Sequence, residues 1–164
     1  HLSDPEAGWR ILCGLLAPHG LMKVAVYSAL GRRDLRAARD FAAAGHGIVT
    51  PERIRRARAD ILALPAGDRR RRALQFSDFY SLRGCRDLLF NVQEREYDLK
   101  EIDAIMRRLD LDFIGFQFTD INTPARFKAA YPDAHLDDLT LWHAFELANQ
   151  DTFSGMYQFW CQKT

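Results

Sequence analysis

Several familiar signals are missing from this sequence. Three cysteines, Cys13, Cys85 and Cys161, stand far apart with no CxxC pair. That spacing argues against a disulfide framework or a zinc site and fits free thiols in a reducing cytoplasm. No apolar run approaches a membrane span, and the stretch Leu21 to Tyr27 is broken by Lys23. His1-Leu2-Ser3-Asp4 shows no basic segment leading into an apolar one, so no signal peptide is expected. With 23 basic and 22 acidic residues, the charge balance gives no global pull toward nucleic acid or an anionic membrane. No repeat, linker or low-complexity stretch is visible. The expectation is a soluble, cytoplasmic protein, with 164 residues forming one domain over 1–164.

What is there reads as α/β. Asp4-Pro5-Glu6 combines an N-cap acceptor, proline at the first helical position and an acid in the first turn. Trp9, Leu12, Cys13 and Leu16 then form one apolar stripe. The helix stops at Pro18-His19-Gly20, and Leu21 to Tyr27 follows, apolar on both faces except for Lys23. A short strand with that pattern is expected inside a sheet covered on both sides. The middle is helical and charged. Arg33 to Ala44 ends at Gly45, Thr50-Pro51-Glu52 opens a helix through Leu64, and Asp68 caps one carrying Arg69 to Arg72 and then Phe76, Phe79 and Tyr80. Ser81 and Asp98 cap two more. Two late strands are expected. Leu111 to Phe118 should put Ile114, Phe116 and Phe118 opposite Phe113, and Met156 to Cys161 should put Tyr157, Phe159 and Cys161 opposite Met156 and Trp160. Thr123-Pro124 and Asp138 to Asn149 mark helices between them.

The segment "HLSDPEAGWRILCGLLAPHGLMKVAVYS" is similar to the stretch of class I S-adenosylmethionine-dependent methyltransferases from just after the fourth strand through the fifth. There "hLxDP" opens a helix, "LxPGG" turns the chain and a strand ends near "YS". "FYSLRGCRDLLFNVQEREYDLKEI", "LDFIGFQF" and "LWHAFELANQDTFSGMYQFWCQK" resemble one bacterial branch of these enzymes, often fused behind tetratricopeptide repeats. The resemblance runs from Leu2 to Lys163. It implies a partial Rossmann-like fold with a three-stranded sheet (21–27, 156–161, 111–118), strand 156–161 lying antiparallel in the middle. It also implies a helical insertion over 32–109 that covers an acceptor pocket.

Two departures stand out. His19 replaces the first glycine of the PGG turn, and Asn91 and Arg95 stand where the branch tends to have the histidines of "FHVQEH". The larger difference is an absence. The family cradles its cofactor with a Gly-rich turn after the first strand, whereas the only GxG here, Gly45-His46-Gly47, follows a helix and reads as a helix-ending turn. The resemblance therefore implies S-adenosylmethionine as cofactor of the complete enzyme, with no cofactor-binding residue in this chain.

Under the resemblance, Tyr27 and Ser28 at a strand's carboxyl end, with Tyr80, Arg86, Asn91 and Glu94 of the insertion, are the candidate acceptor-binding residues. No catalytic residue is assigned. The Cys85-Arg86-Asp87 thiol has no adjacent base and reads as packing, and His143 reads as an ordinary helix histidine. Asp110 with Asp112, and Asp137 with Asp138, lack further metal ligands. No nucleophile elbow occurs. Arg53, Arg55, Arg56, Arg58 and Arg69 to Arg72 are interleaved with Glu52, Asp60 and Asp68, a solvated face rather than a nucleic-acid surface. Two readings stay open: the C-terminal part of a methyltransferase completed by a missing half, or a free-standing non-catalytic interaction module. In either, the edge of strand 21–27 is expected to be covered by that half, by the chain's own helices or by self-association.

Overall fold

A computed structural model describes residues 4–44, 47–91 and 94–164. The expected stop at Gly45, the GxG at Gly45-His46 and the Val92-Gln93 part of the motif lie outside the described residues. The helices are α1 (Pro5–Leu15), α2 (Arg33–Ala43), α3 (Pro51–Ala63), α4 (Leu82–Phe90), α5 (Leu99–Arg108), α6 (Thr123–Ala130) and α7 (Leu139–Ala148). The strands are β1 (Leu21–Ser28), β2 (Glu96–Tyr97), β3 (Leu111–Phe116) and β4 (Met156–Lys163). The chain divides into two compact units: one joins the residues up to Arg32 with Arg95–Thr164, and the other is Arg33–Glu94.

The first unit holds the sheet, and it corrects the expected architecture. Instead of a three-stranded Rossmann-like sheet there is a four-stranded mixed one in the order β2-β1-β4-β3. β1 pairs parallel with β2, while β4 is antiparallel to both β1 and β3. The added strand is two residues long, squeezed between Arg95 and the α5 cap. Asp98 and Glu101 form a reciprocal capping box there, so the strand is too short for an alternating pattern to show in the sequence.

The sheet is also covered on one face only. Val24 and Ser28 are buried, whereas Leu21, Lys23 and Ala25 are exposed. Val24 lies opposite Phe159, and Lys23 lies opposite Trp160. An apolar run through exposed positions hid this alternation from a reading by hydropathy. A β-bulge between Phe113 and Gly115 shifts the pleat of β3 by one residue. Phe113 and Phe116 therefore share the core side, their rings 4.8 Å apart, and Ile114 is exposed. That reverses the expected grouping of Ile114 with Phe116.

The core side packs against α1, α5, α6 and α7. Trp9 and Cys13 are the buried residues of α1; Leu12, about 100° round the helix from Cys13, is half exposed, so the buried stripe is narrower than expected. α7 brings Trp142, fully buried, onto Phe127 of α6, with ring centroids 3.8 Å apart and planes at 16°. Between α1 and β1, His19 takes a left-handed φ of 61°, a region uncommon for residues with a side chain. Gly20 follows because a Cβ there would sit 2.8 Å from the carbonyl oxygen of Ala17.

The second unit is helical and has its own core, built from Leu35 and Ala38 of α2, Ile54 and Ile61 of α3, Phe79, and Cys85 and Leu89 of α4. The segment after Asp68 is not one α-helix but two 3₁₀ turns, Arg69–Gln75 and Ser77–Tyr80, interrupted by extended backbone at Phe76. Ala73 and Phe79 are nonetheless both buried in this core, with Phe76 packed against it. The Asp68 carboxylate accepts from the Arg70 backbone N–H and its guanidinium, both at 2.9 Å. These bonds hold its carboxyl at about 2, below the ordinary 3.8. A depressed folded-state value contributes stability that is complete above pH ~4 and fades as the pH falls toward ~2. Wild type should accordingly be more stable than Asp68→Asn in urea denaturation at neutral pH, with the gap closing across that window. A gap that does not change with pH would refute this account.

Candidate functional site

The carboxyl end of β1 is held from three sides. The Ser28 backbone N–H donates to the Gly155 carbonyl at 3.0 Å, Ala29 N–H donates to the Tyr97 carbonyl at 2.8 Å, and Arg32 N–H donates to the Ser28 carbonyl at 3.0 Å. The Ser28 hydroxyl accepts from Gly31 N–H at 2.9 Å and donates to Glu146 Oε1 at 2.8 Å. The Tyr157 hydroxyl donates to the other carboxylate oxygen, Oε2, at 2.6 Å. Ser28, Tyr157 and Glu146 are all buried. Charge-assisted hydrogen bonds of this kind are what make an inward carboxyl tolerable. Burial first, then the neighbouring Glu146 charge, pushes the Tyr157 phenol well above its ordinary value. It therefore stays protonated and acts as a donor.

Two further contacts fix the turn after β1. The Arg32 guanidinium lies 3.7 Å from the centre of the Tyr27 ring, close enough for a cation–π contact. Gly31 packs on backbone: a Cβ there would lie 2.6 Å from the Gly155 nitrogen and 2.7 Å from its Cα. Gly155 itself has φ 90°, a conformation that favours glycine.

In the second unit, Arg86 and Asn91 line one depression of about 410 Å³ together with Arg83, Asp87 and Phe90. Tyr80 and Glu94 are not among its lining residues. Tyr80 is 60% exposed and its hydroxyl donates to the Leu74 carbonyl at 2.9 Å. The Glu94 carboxylate lies 2.7 Å from the Arg39 guanidinium, both side chains largely buried, and Arg39 Nε also donates to the Leu88 carbonyl at 2.7 Å. Tyr27 and Ser28 belong to the sheet's unit and the other four to the helical unit. Among the described residues no cluster of three or more His, Cys, Asp or Glu could hold a metal ion, and no helix is long and apolar enough to cross a membrane.

Sequence reasoning missed Glu146, Tyr157 and Arg32. Glu146 had a usable signal: it falls four residues after Trp142 and seven after Leu139, on the inward stripe of α7, where an ionised side chain needs a partner. Nothing in the sequence pairs it with Ser28, 118 residues away.

No known family model matches the chain. It is 28% identical over 157 residues to an uncharacterized protein of Synechococcus sp.. That similarity covers 90% of this chain but spans only 37% of the relative's length.

Proposed function

We propose that this chain is the acceptor-side part of an S-adenosylmethionine-dependent methyltransferase whose cofactor is held by residues outside it. The observation that carries the reading is the unit Asp4–Ser28. There the "DP" helix start, the left-handed turn at His19 and the strand ending in Tyr27-Ser28 stand together, and the strand's end is immobilised by the Glu146 network. The matching relative is much longer than the chain, which leaves room for a cofactor-binding segment in such a protein. The turn after β1 does not fit the cofactor itself, because Gly31 is filled by the Gly155 backbone rather than open to a ligand.

S-adenosylmethionine would supply the electrophilic methyl group in an in-line displacement, a reaction helped mainly by positioning. In this reading the chain's own contribution is a rigid edge of the acceptor site. Tyr27 is fixed by Arg32, and Ser28 is fixed by Gly31 and Glu146.

A second reading, a non-catalytic interaction module, is favoured by exposed apolar surface. Leu21, Ile114 and Trp160 stand out from the uncovered sheet face, and β2 pairs with β1 only at Tyr27 and Ser28. The rest of that edge is free among the described residues, a feature that invites a strand from a missing half or a second copy.

Titration calorimetry separates the two. The 164-residue chain should give no micromolar binding of S-adenosylmethionine, while the product of the whole gene should bind it and transfer its methyl group. Tight binding by the chain alone would overturn the assignment of the cofactor to outside residues. A whole-gene product that binds none would overturn methyl transfer and leave the module.

A further inference from the structure

The outer face of α4 carries an uncompensated positive charge. Ser81 caps the helix by accepting from Gly84 N–H, and no acidic residue occupies the first turn. Arg83 sits in that turn, where the helix dipole disfavours a cation. Arg86 follows three residues on, close enough for like charges to repel. Several other guanidiniums of the same unit are engaged: Arg39 with Glu94, Arg55 with Glu52, Arg70 with Asp68, and Arg71 with the carbonyls of Leu62 and Leu64. Among the described residues Arg83 and Arg86 make no ion pair or hydrogen bond, although Asp87 is adjacent. Both line the same depression, with Asp87, Phe90 and Asn91. The Arg53 guanidinium lies 5.4 Å from the centre of the Phe90 ring and adds a third positive charge nearby.

We propose that this depression binds a small organic anion through a carboxylate, held between Arg83 and Arg86. Planar guanidiniums match a carboxylate in two-point contact. Asp87 selects for a single negative charge, since its carboxylate repels a dianion more strongly than a monoanion. Phe90 gives the ligand's apolar part a wall.

The test is a titration of the isolated chain, with no S-adenosylmethionine present, followed by amide NMR. Benzoate should bind saturably in the millimolar range and shift the Asn91 signals, while benzamide, its neutral counterpart, should not. Arg83→Gln with Arg86→Gln should weaken benzoate about tenfold or more, in line with the loss of charge-assisted bonds. The exposed Arg107→Gln in the other unit, removing one positive charge, should leave it unchanged. Circular dichroism checks that each variant is folded. Equal benzoate binding by wild type and the double variant, or equal binding of benzamide and benzoate, would overturn the site. Inorganic phosphate binding more tightly than benzoate would overturn the carboxylate assignment. Because the readout needs no cofactor, a failed methyl-transfer assay leaves this result standing, and a failed titration leaves methyl transfer untouched.

Discussion

Glu146→Ala should destabilise the sheet's unit by about 2–6 kcal/mol, the sum for two buried hydroxyl donors deprived of their shared acceptor. The loss comes from the groups left behind. The Ser28 and Tyr157 hydroxyls, both 0% exposed by residue, lose their acceptor in a buried site, at roughly 1–3 kcal/mol each. Glu146→Gln keeps the shape and one acceptor oxygen but turns an N–H₂ toward a hydroxyl donor, so its loss should be intermediate. Tyr157→Phe removes a donor and leaves the carboxylate its bond to Ser28, and it should cost least of the three. Urea denaturation followed by far-UV circular dichroism gives the order. An alanine variant within about 1 kcal/mol of wild type would show that the network holds nothing together.

Trp142→Ala should cost a comparable amount, about 3–5 kcal/mol, by a different route. Its indole stacks on Phe127 and meets Phe116, Phe118, Phe145 and Phe153. Truncation opens a cavity that rigid rings cannot collapse to fill. The indole N–H also donates to the Leu136 carbonyl at 2.8 Å, so the loop before α7 loses its tie. Trp160→Ala is the control: Trp160 is 42% exposed on the open sheet face and should cost far less. If the two substitutions were equally damaging, the core would not be where the aromatic cluster places it.

Much of the local structure was legible because its signals are chemical and short-range. The caps at Asp4, Thr50, Ser81, Asp98 and Asp138 each accept the backbone N–H that their position calls for. The segments expected as strands are extended, and Tyr157, Phe159 and Cys161 alternate with Trp160 as the pleat requires. The architecture was less legible. A two-residue strand leaves no periodicity, and a bulge at Phe113–Gly115 changes which residues share a face without changing composition. The apolar character of Leu21 and Ala25 says nothing of whether anything covers them. In the candidate site, the end of β1 could be named from its sequence. The inward position of Glu146 could be read from the stripe of α7, but its pairing with Ser28 could not, because it joins elements 118 residues apart in the chain.

The strand order has a consequence for how the chain comes together as it is made. β4 follows every other element in sequence, yet it lies between β1 and β3. Until it emerges, β1 and β3 have no common neighbour, and Phe159 and Tyr157 are missing from the middle of the core. The helical unit is one continuous stretch, Arg33–Glu94, and can condense while the sheet is still open. Assembly of the sheet is thus postponed until β4 has been made, with its first strand held waiting across more than a hundred residues.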